Sequence, residues 1–234
     1  MSWVRYKFHK VIKTIYSKIS LVKKPIDENN VEILTNEQFI KSINEVLKYS
    51  MLDTDRLANL WDYCRLSNPN GDILEIGSYK GGGALHLSNS QPNRKIYICD
   101  SFEGFETIDE KLDVNFNLSQ FKDTTIYNVA QLFSSKNRNF EIKQGFFPSS
   151  FHNVEFPKIS FVHLDVDIYK ATLESLFFLD DKMIDKSFII IDDYNRKCEG
   201  VNKAVEEFLG QSNNWRVFPL FPSQGLLIHK SWFL

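Results

Sequence analysis

The feature of this sequence that most constrains its fold is a regular alternation of short apolar segments with longer amphipathic ones. Five apolar segments, each four to six residues long, end within two residues of a glycine or an acidic residue. Segments of this kind are typical of strands that are buried on both faces. Because candidate helices separate them, the pattern predicts a parallel sheet with helices on both sides. The predicted strands are 73–76, 95–99, 140–143, 159–164 and 188–191, and the predicted helices are about 82–90, 124–135, 170–183 and 199–210.

Both ends of the chain add to this core. Residues 215–220 and 224–230 are separated only by Phe221-Pro222-Ser223, which predicts a C-terminal antiparallel hairpin. Residues 36–67 contain two helical stretches. The expected fold is therefore α/β, with a Rossmann-like, mostly parallel sheet, a C-terminal hairpin and N-terminal helices. We divide it into a basic helix at 1–24, a helical cap at 25–71 and a main domain at 72–234.

The net charge of −2 conceals a strong separation of charge along the chain. Residues 1–24 carry seven Lys and Arg and no acid, so the remainder carries −9. An acidic body argues against nucleic acid as a partner. Apolar residues of the basic segment recur at helical spacing, so it could lie on an anionic membrane surface. The alternative is a helix packed on the body or on a second copy of the chain. These apolar residues are Val4, Phe8, Val11, Ile12, Ile15, Ile19 and Val22.

Other sequence signals bear on the location of the protein. The chain contains no run of about 20 apolar residues that would span a membrane. The basic segment lacks the uninterrupted apolar stretch of a signal peptide. Three scattered cysteines without CxxC spacing predict neither a disulfide framework nor a zinc site. We therefore expect a cytoplasmic protein, with the inner membrane surface as an alternative location.

Two features after the first two strands are typical of nucleoside recognition. The segment 75–83 is rich in glycine, which allows a tight turn and a close approach of ligand to backbone. The helix that follows would offer N–H donors to a carboxylate. Asp100 ends the second strand, where a carboxylate suits the two hydroxyls of a ribose. Neither the GxGxxG pattern of dinucleotide-binding proteins nor a Walker A motif is present.

Four acidic residues follow the fourth and fifth strands. Because adjacent parallel strands end at the same edge of a sheet, Asp165 and Asp167 should lie near Asp192 and Asp193. Gathered carboxylates repel one another unless a cation neutralises them. An all-oxygen set of ligands suits Mg²⁺. The alternative is that some of these acids are solvated loop residues.

Several of these segments together resemble the successive motifs of the macrocin O-methyltransferase family. The resemblance covers roughly residues 49–230 and implies a class I methyltransferase fold. It also implies S-adenosylmethionine as methyl donor, Mg²⁺, and a sugar hydroxyl as acceptor. The motifs lie at residues 49–52, 56–60, 75–82, 100–104, 163–169 and 191–194.

The resemblance also implies roles for single residues. Asp165, Asp192 and Asp193 would be the metal ligands. The chemistry of the step, rather than the resemblance, makes Asp165 or Asp167 the candidate to take the proton of the acceptor hydroxyl, with His163 a lesser candidate that we expect to be structural. The residues implied to contact the donor are Glu75, Gly77 and Tyr79 beside its methionine part, Asp100 at the ribose and Gly145 beside the adenine.

The sequence departs from the family pattern in two places, and two other functions remain open. Lys170-Ala171 replaces an acid and a small hydroxyl residue, and Asp185-Lys186 replaces a Gly-Gly turn. A non-catalytic partner subunit would keep the fold with a damaged site, and a nicotinamide oxidoreductase would use a similar sheet. Residues 105–123 are expected to form a lid over the acceptor, whose identity the sequence does not specify.

Overall fold

Two helices begin the part of the chain that the computed structural model describes, residues 37–195 and 198–234. The predicted basic helix at 1–24 lies outside these residues. Helix α1 (Glu37–Val46) buries Phe39, Ile43 and Val46, which recur at helical spacing. Helix α2 (Thr54–Leu66) begins at Asp53, whose carboxylate accepts the backbone N–H of Arg56 as an N-cap. No helix among the described residues combines the length and the apolar character needed to cross a membrane.

Strands and helices then alternate as the sequence predicts. Every strand except β5 has five or six residues, and the first five end near the same edge of the sheet. The strands are β1 (Asp72–Ile76), β2 (Ile96–Asp100), β3 (Phe140–Gln144), β4 (Ile159–Leu164), β5 (Met183–Ile191), β6 (Trp215–Leu220) and β7 (Gln224–His229). The helices between them are α3 (Gly82–Ser90), α4 (Ile126–Ser134), α5 (Tyr169–Leu179) and α6 (Glu199–Gln211), with 3₁₀ turns at Ser149–Phe151 and Lys230–Trp232.

In the described part of the chain these strands form one seven-stranded sheet in the order β3-β2-β1-β4-β5-β7-β6. Neighbouring strands from β3 to β5 are parallel, whereas β7 pairs antiparallel with both β5 and β6. The predicted mixed sheet with a C-terminal hairpin is confirmed. The chain runs outwards from β1 to β3 and then returns to β4, so the order reverses between β1 and β4. A ligand crevice is expected at such a reversal, outside the carboxyl ends of the strands.

The two faces of the sheet bury different sets of side chains. Alternate residues of the strands face opposite sides, as the period of two requires. Helices α1, α2 and α3 cover one face, where Trp61 and Phe161 are buried. The other face buries Val162, Phe208 and Trp215 among others. The sheet is therefore covered on both sides, and its polar carboxyl edge remains available for a site.

Strand β5 is longer than the apolar pattern predicts. The prediction began it at residue 188, but the strand begins at Met183 and contains Asp185 and Lys186. The backbone N–H and the side-chain amide of Asn68 donate to the carbonyls of Lys186 and Asp185, at 3.1 and 3.0 Å. These bonds hold a polar segment in the sheet that its composition alone would not place there.

Candidate active site

A cavity of about 350 Å³ opens at the carboxyl ends of β1, β2, β4 and β5. It lies where the strand order reverses. Every residue to which the sequence assigned a role lines its wall, although this placement does not by itself test the roles. These residues are Glu75, Gly77, Tyr79, Asp100, Gly145, His163, Asp165, Asp167, Asp192 and Asp193.

The glycine turn after β1 is packed directly against the loop after β4. Gly77 has a φ of +82°, and a Cβ at this position would lie 1.9 Å from the carbonyl oxygen of Asp165. The backbone N–H of Asp165 in turn donates to the carbonyl of Ile76 at 2.8 Å. Any side chain at Gly77 would separate the two loops. Gly77 therefore fixes the distance between the turn after β1 and the loop that carries Asp165 and Asp167.

Asp100 organises the backbone of the loops after β1 and β2. Its Oδ2 accepts the N–H groups of Ser78 and Tyr79 at 2.7 and 2.8 Å, and its Oδ1 accepts the N–H of Phe102 at 2.7 Å. Four lone pairs are available on a carboxylate, so acceptor capacity remains for a ligand. Asp100 thus joins the turn after β1 to the loop after β2.

The four acids after β4 and β5 repel one another, as their position at one edge of the sheet predicts. Burial raises the pKa of the Asp165 carboxyl well above its ordinary value, and Asp192, Asp167 and Asp193 raise it further. Burial raises the pKa of Asp167 in the same way, with Asp193 and Asp192 adding to the effect. Asp165 and Asp167 are therefore harder to ionise than isolated carboxyl groups.

Asp192 differs from the other acids because protein donors already hold it. It is 3% exposed. Nη1 of Arg56 forms a hydrogen-bonded ion pair with its Oδ2, and Nε2 of Gln224 donates to its Oδ1 at 2.9 Å. Burial raises the pKa of Asp192, and the positive charge of Arg56 opposes that rise. In the described residues no group of three or more His, Cys, Asp or Glu side chains is already arranged to hold a metal ion.

A buried Glu–His pair forms the floor of the cavity. Nδ1 of His163 lies 3.0 Å from Oε1 of Glu75, and both side chains are 1% exposed. The second oxygen of Glu75 and Nε2 of His163 have no hydrogen-bond partner among the described residues. The pair thus adds polar atoms to the floor of the cavity, close enough to Asp192 for His163 to act on that carboxyl electrostatically.

Aromatic side chains of the segment 105–123 cover the outer side of the cavity. Phe105 packs edge-to-face on Phe116 and Phe121, with ring centroids 5.5 and 5.6 Å apart. Phe121 contacts Tyr79 in the same way at 5.5 Å. The hydroxyl of Tyr79 donates to Asp123 at 2.6 Å. The segment thus covers the cavity beside Tyr79, and its predicted role as a lid over the acceptor stays a prediction.

Comparison with known proteins identifies the family of this fold and site. The family model for macrocin-O-methyltransferase (TylF) matches residues 12–215. The chain belongs to the macrocin O-methyltransferase family.

Relatives and solved structures agree with this family. The chain is 24% identical over 221 residues to the mycinamicin III 3''-O-methyltransferase of Micromonospora griseorubida, with 79% of this chain and 87% of the relative covered. It is 23% identical over 181 residues to a rhamnosyl-tetracenomycin-C 4'-O-methyltransferase of Streptomyces olivaceus, with 70% and 68% covered. The structure of the O-methyltransferase NovP superposes with a TM-score of 0.67 at 19% identity, covering 77% of this chain and 82% of that one.

Membership of the macrocin O-methyltransferase family confirms the predicted activity class. The protein is an S-adenosylmethionine-dependent O-methyltransferase, as its motifs predicted. A nicotinamide oxidoreductase, considered from the shape of the sheet alone, does not fit this family. The roles of single residues, the metal and the acceptor remain predictions.

Sequence reasoning assigned no role to three polar residues of this site. Arg56 and Asn59 lie three residues apart on α2 and reach the acidic edge together, Arg56 directly and Asn59 through Gln224 at 2.9 Å. Their helical spacing and position in a family motif were visible, but their partners were not. Gln224 begins β7, and only the pairing of that strand with β5 brings it to Asp192.

Proposed function

We propose that this O-methyltransferase transfers a methyl group to a sugar hydroxyl of a glycan or a glycosylated natural product, with the assistance of Mg²⁺. The observation that carries the proposal is the convergence of four carboxyl groups with the glycine turn and Asp100 in one cavity. The relatives support the acceptor class, since one is named for a 3''-hydroxyl of mycinamicin III and another for a rhamnosyl group.

The chemistry of the acids fits a hard divalent cation. Asp165, Asp192 and Asp193 would hold it, because carboxylate oxygens are the ligands that Mg²⁺ prefers. Burial raises the pKa of Asp165, and repulsion from the other acids raises it further; a bound cation would relieve that repulsion. Each oxygen of Asp192 accepts one protein hydrogen bond and keeps a further lone pair. Bound Mg²⁺ would supply Lewis acidity that lowers the pKa of the acceptor hydroxyl.

The residues of the chain would align the reactants and receive the proton. The sulfonium of the donor carries the leaving group, so the protein needs chiefly to hold the acceptor oxygen in line with the methyl group. The loops joined by Gly77 and Asp100 would fix the donor. Asp167, which is outside the proposed ligand set, would take the proton, and Asp165 is the alternative.

The part of the cavity wall that contains Lys170 is the proposed acceptor side. Nζ of Lys170 lies 3.9 Å from Oε1 of Glu174. Lys170 stands where the family pattern commonly has an acid, so this position would alter the choice of acceptor. If residues 1–24 contact a membrane, a surface glycan made at the inner membrane face would be the favoured acceptor.

Transfer of a labelled methyl group tests the proposal. The protein is incubated with labelled S-adenosylmethionine and a panel of nucleotide sugars, glycans and glycosylated natural products. We expect label in a sugar-containing product, inhibition by EDTA and recovery with added Mg²⁺. Asp193→Asn should lower turnover by orders of magnitude, because it removes a charged ligand. The matched control is Asp181→Asn, an exposed acid at the end of α5. Turnover that ignores both EDTA and Asp193→Asn would exclude the metal.

A second pair of variants separates the proton acceptor from the metal ligand. Asp167→Asn should lower kcat strongly and weaken the binding of Mn²⁺, used in place of Mg²⁺, only by the several-fold that the loss of a nearby charge causes. Asp165→Asn should weaken Mn²⁺ binding much more, because it also removes a ligand. Equal loss of Mn²⁺ affinity in both variants would show that Asp167 is a ligand rather than the proton acceptor.

A further inference from the structure

We infer that Arg56 is the built-in counter-cation of the acidic cluster, holding Asp192 in place and competing with the metal for its charge. The inference rests on the proposed metal site but concerns a residue of α2, far from the acids in sequence. It predicts that the metal-free protein depends on Arg56 for stability. It also predicts that Arg56 limits how tightly the metal binds.

The guanidinium of Arg56 is fixed by contacts from all three of its nitrogens. Nε contacts Oδ2 of Asp53 at 3.2 Å, Nη2 donates to the carbonyl of Met51 at 3.0 Å, and Nη1 pairs with Oδ2 of Asp192. The side chain of Arg56 is 13% exposed, and that of Asp192 is 2% exposed. A fork held at three points cannot swing away without losing these bonds. The positive charge is therefore a permanent part of the site.

A second contact holds Asp192 from the other side. Nε2 of Gln224 donates to its Oδ1, and Nδ2 of Asn59 lies 2.9 Å from Oε1 of Gln224. Asn59 also donates to the carbonyl of Phe221 at 2.8 Å. Helix α2 thus contacts Asp192 directly through Arg56 and indirectly through Asn59 and Gln224. Both carboxylate oxygens of Asp192 are therefore held in a fixed orientation. Outer contacts of this kind orient metal-binding carboxylates.

The charge of Arg56 acts on the whole cluster, not only on its direct partner. Arg56 pairs directly with Asp192 and lines the same cavity as Asp165 and Asp167. Lys170 also lines the cavity, but its nearest carboxylate is Glu174. Arg56 therefore offsets part of the repulsion when no metal is bound. The same charge repels an incoming divalent cation.

Titration of Mn²⁺ into the full-length protein, followed by electron paramagnetic resonance, tests this balance. In Arg56→Gln the amide keeps a hydrogen-bond donor but loses the charge. We expect the dissociation constant for Mn²⁺ to fall about tenfold. The melting temperature in EDTA should fall, and its rise on adding Mn²⁺ should exceed that of the parent. Arg56→Lys keeps the charge without the fork and should bind Mn²⁺ like the parent.

A second variant, expected to change Mn²⁺ affinity in the opposite direction, distinguishes the effect of charge from a general loss of structure. Asp53→Asn keeps an N-cap for α2 but leaves the charge of Arg56 less neutralised. We expect it to weaken Mn²⁺ binding about threefold. If the variants acted only by disrupting the contacts of α2, Arg56→Gln and Asp53→Asn would change the dissociation constant for Mn²⁺ in the same direction. That result would overturn the inference. Arg65→Gln, in the last turn of the same helix, is the matched control and should change neither measurement.

The outcomes also separate this inference from the proposed function. Unchanged or weaker Mn²⁺ binding in Arg56→Gln, with metal-dependent methyl transfer in the parent, overturns the role of Arg56 and leaves the function standing. A parent protein that binds no Mn²⁺ overturns both.

Discussion

Three residues of the cavity wall that lie in loops at strand ends hold backbone conformations that L-amino acids seldom adopt. Tyr79, Asp167 and Asp193 have φ values of 49°, 63° and 58°. A residue other than glycine in this region costs of order 1 kcal/mol, and such residues cluster where a ligand is held. The three residues lie in the loops that follow β1, β4 and β5, respectively. The surrounding hydrogen bonds, such as those of Asp100, maintain these conformations.

Asp100→Asn should weaken the binding of S-adenosylmethionine by about 1.5–3 kcal/mol, the scale of hydrogen bonds to a charged group. The substitution removes the charge proposed to bind the ribose. It also turns an amide nitrogen towards backbone N–H donors. Calorimetric titration of the donor measures the effect. Glu103→Gln, an exposed acid in the same loop, is the control. An unchanged dissociation constant in Asp100→Asn would exclude Asp100 from the donor site.

At the scale of elements, Asp113 ties the 105–123 segment to helix α5. Its carboxylate is 2% exposed, and it accepts the N–H of Tyr169 through Oδ1 and that of Asp109 through Oδ2, both at 2.9 Å. A negative charge is favoured at the N-terminus of a helix. Gly200 of α6 allows this contact, since a Cβ there would lie 2.1 Å from Oδ1 of Asp113.

Two glycine substitutions in α6 should therefore have opposite effects on stability. Gly200→Ala should lower the free energy of unfolding by about 1.5–3 kcal/mol, because it displaces a buried carboxylate from its donors. Gly210→Ala should raise it by about 0.5 kcal/mol through helix propensity, since nothing lies within 4 Å of the added methyl. Denaturant unfolding of both variants measures the difference. If Gly200→Ala proved neutral, the packing of Asp113 against α6 would be looser than described.

His86 connects the three helices on one face of the sheet. Its Nε2 donates to the carbonyl of Leu57 at 3.0 Å, which leaves Nδ1 to accept from the hydroxyl of Ser42 at 2.8 Å. Burial lowers the pKa of His86 to about 4. The neutral ring is thus part of the contact between α1, α2 and α3.

This histidine should make the protein sensitive to acid. Its pKa is about 4 in the folded chain and about 6.5 in the unfolded chain. The unfolded state therefore binds more protons between these values, so stability present above pH 6.5 is lost as the pH falls towards 4. The loss should reach about 1–3 kcal/mol. Stability measured from pH 7.5 to 4.5 should fall less in His86→Gln than in the parent or in His152→Gln. Equal slopes would contradict the role of His86.

At the scale of the whole molecule, the separation of charge between residues 1–24 and the acidic remainder has two interpretations. Deleting residues 1–24 should abolish co-sedimentation with anionic vesicles, because seven positive charges and one apolar face are removed. Methyl transfer in solution should continue. A lower melting temperature or a smaller oligomer by light scattering would instead show that the segment packs on protein. Neutral vesicles serve as the control.

The sequence by itself determined the sheet, its helices and the edge at which the site lies. Strand and helix periodicities are local, so they could be seen before any contact was known. The parallel connection rule then placed Asp100, Asp165 and Asp192 at one edge. The motifs predicted the macrocin O-methyltransferase family and its activity, which the family comparison confirms.

Only the tertiary structure decided which side chains hold the acids in place. Arg56 and Gln224 are far from Asp192 along the chain in opposite directions, and no periodicity links them to it. The extension of β5 through Lys186 depends in the same way on bonds from Asn68. Such contacts follow from how α2 and β7 pack beside β5, because a side chain's partner is set by distance in space.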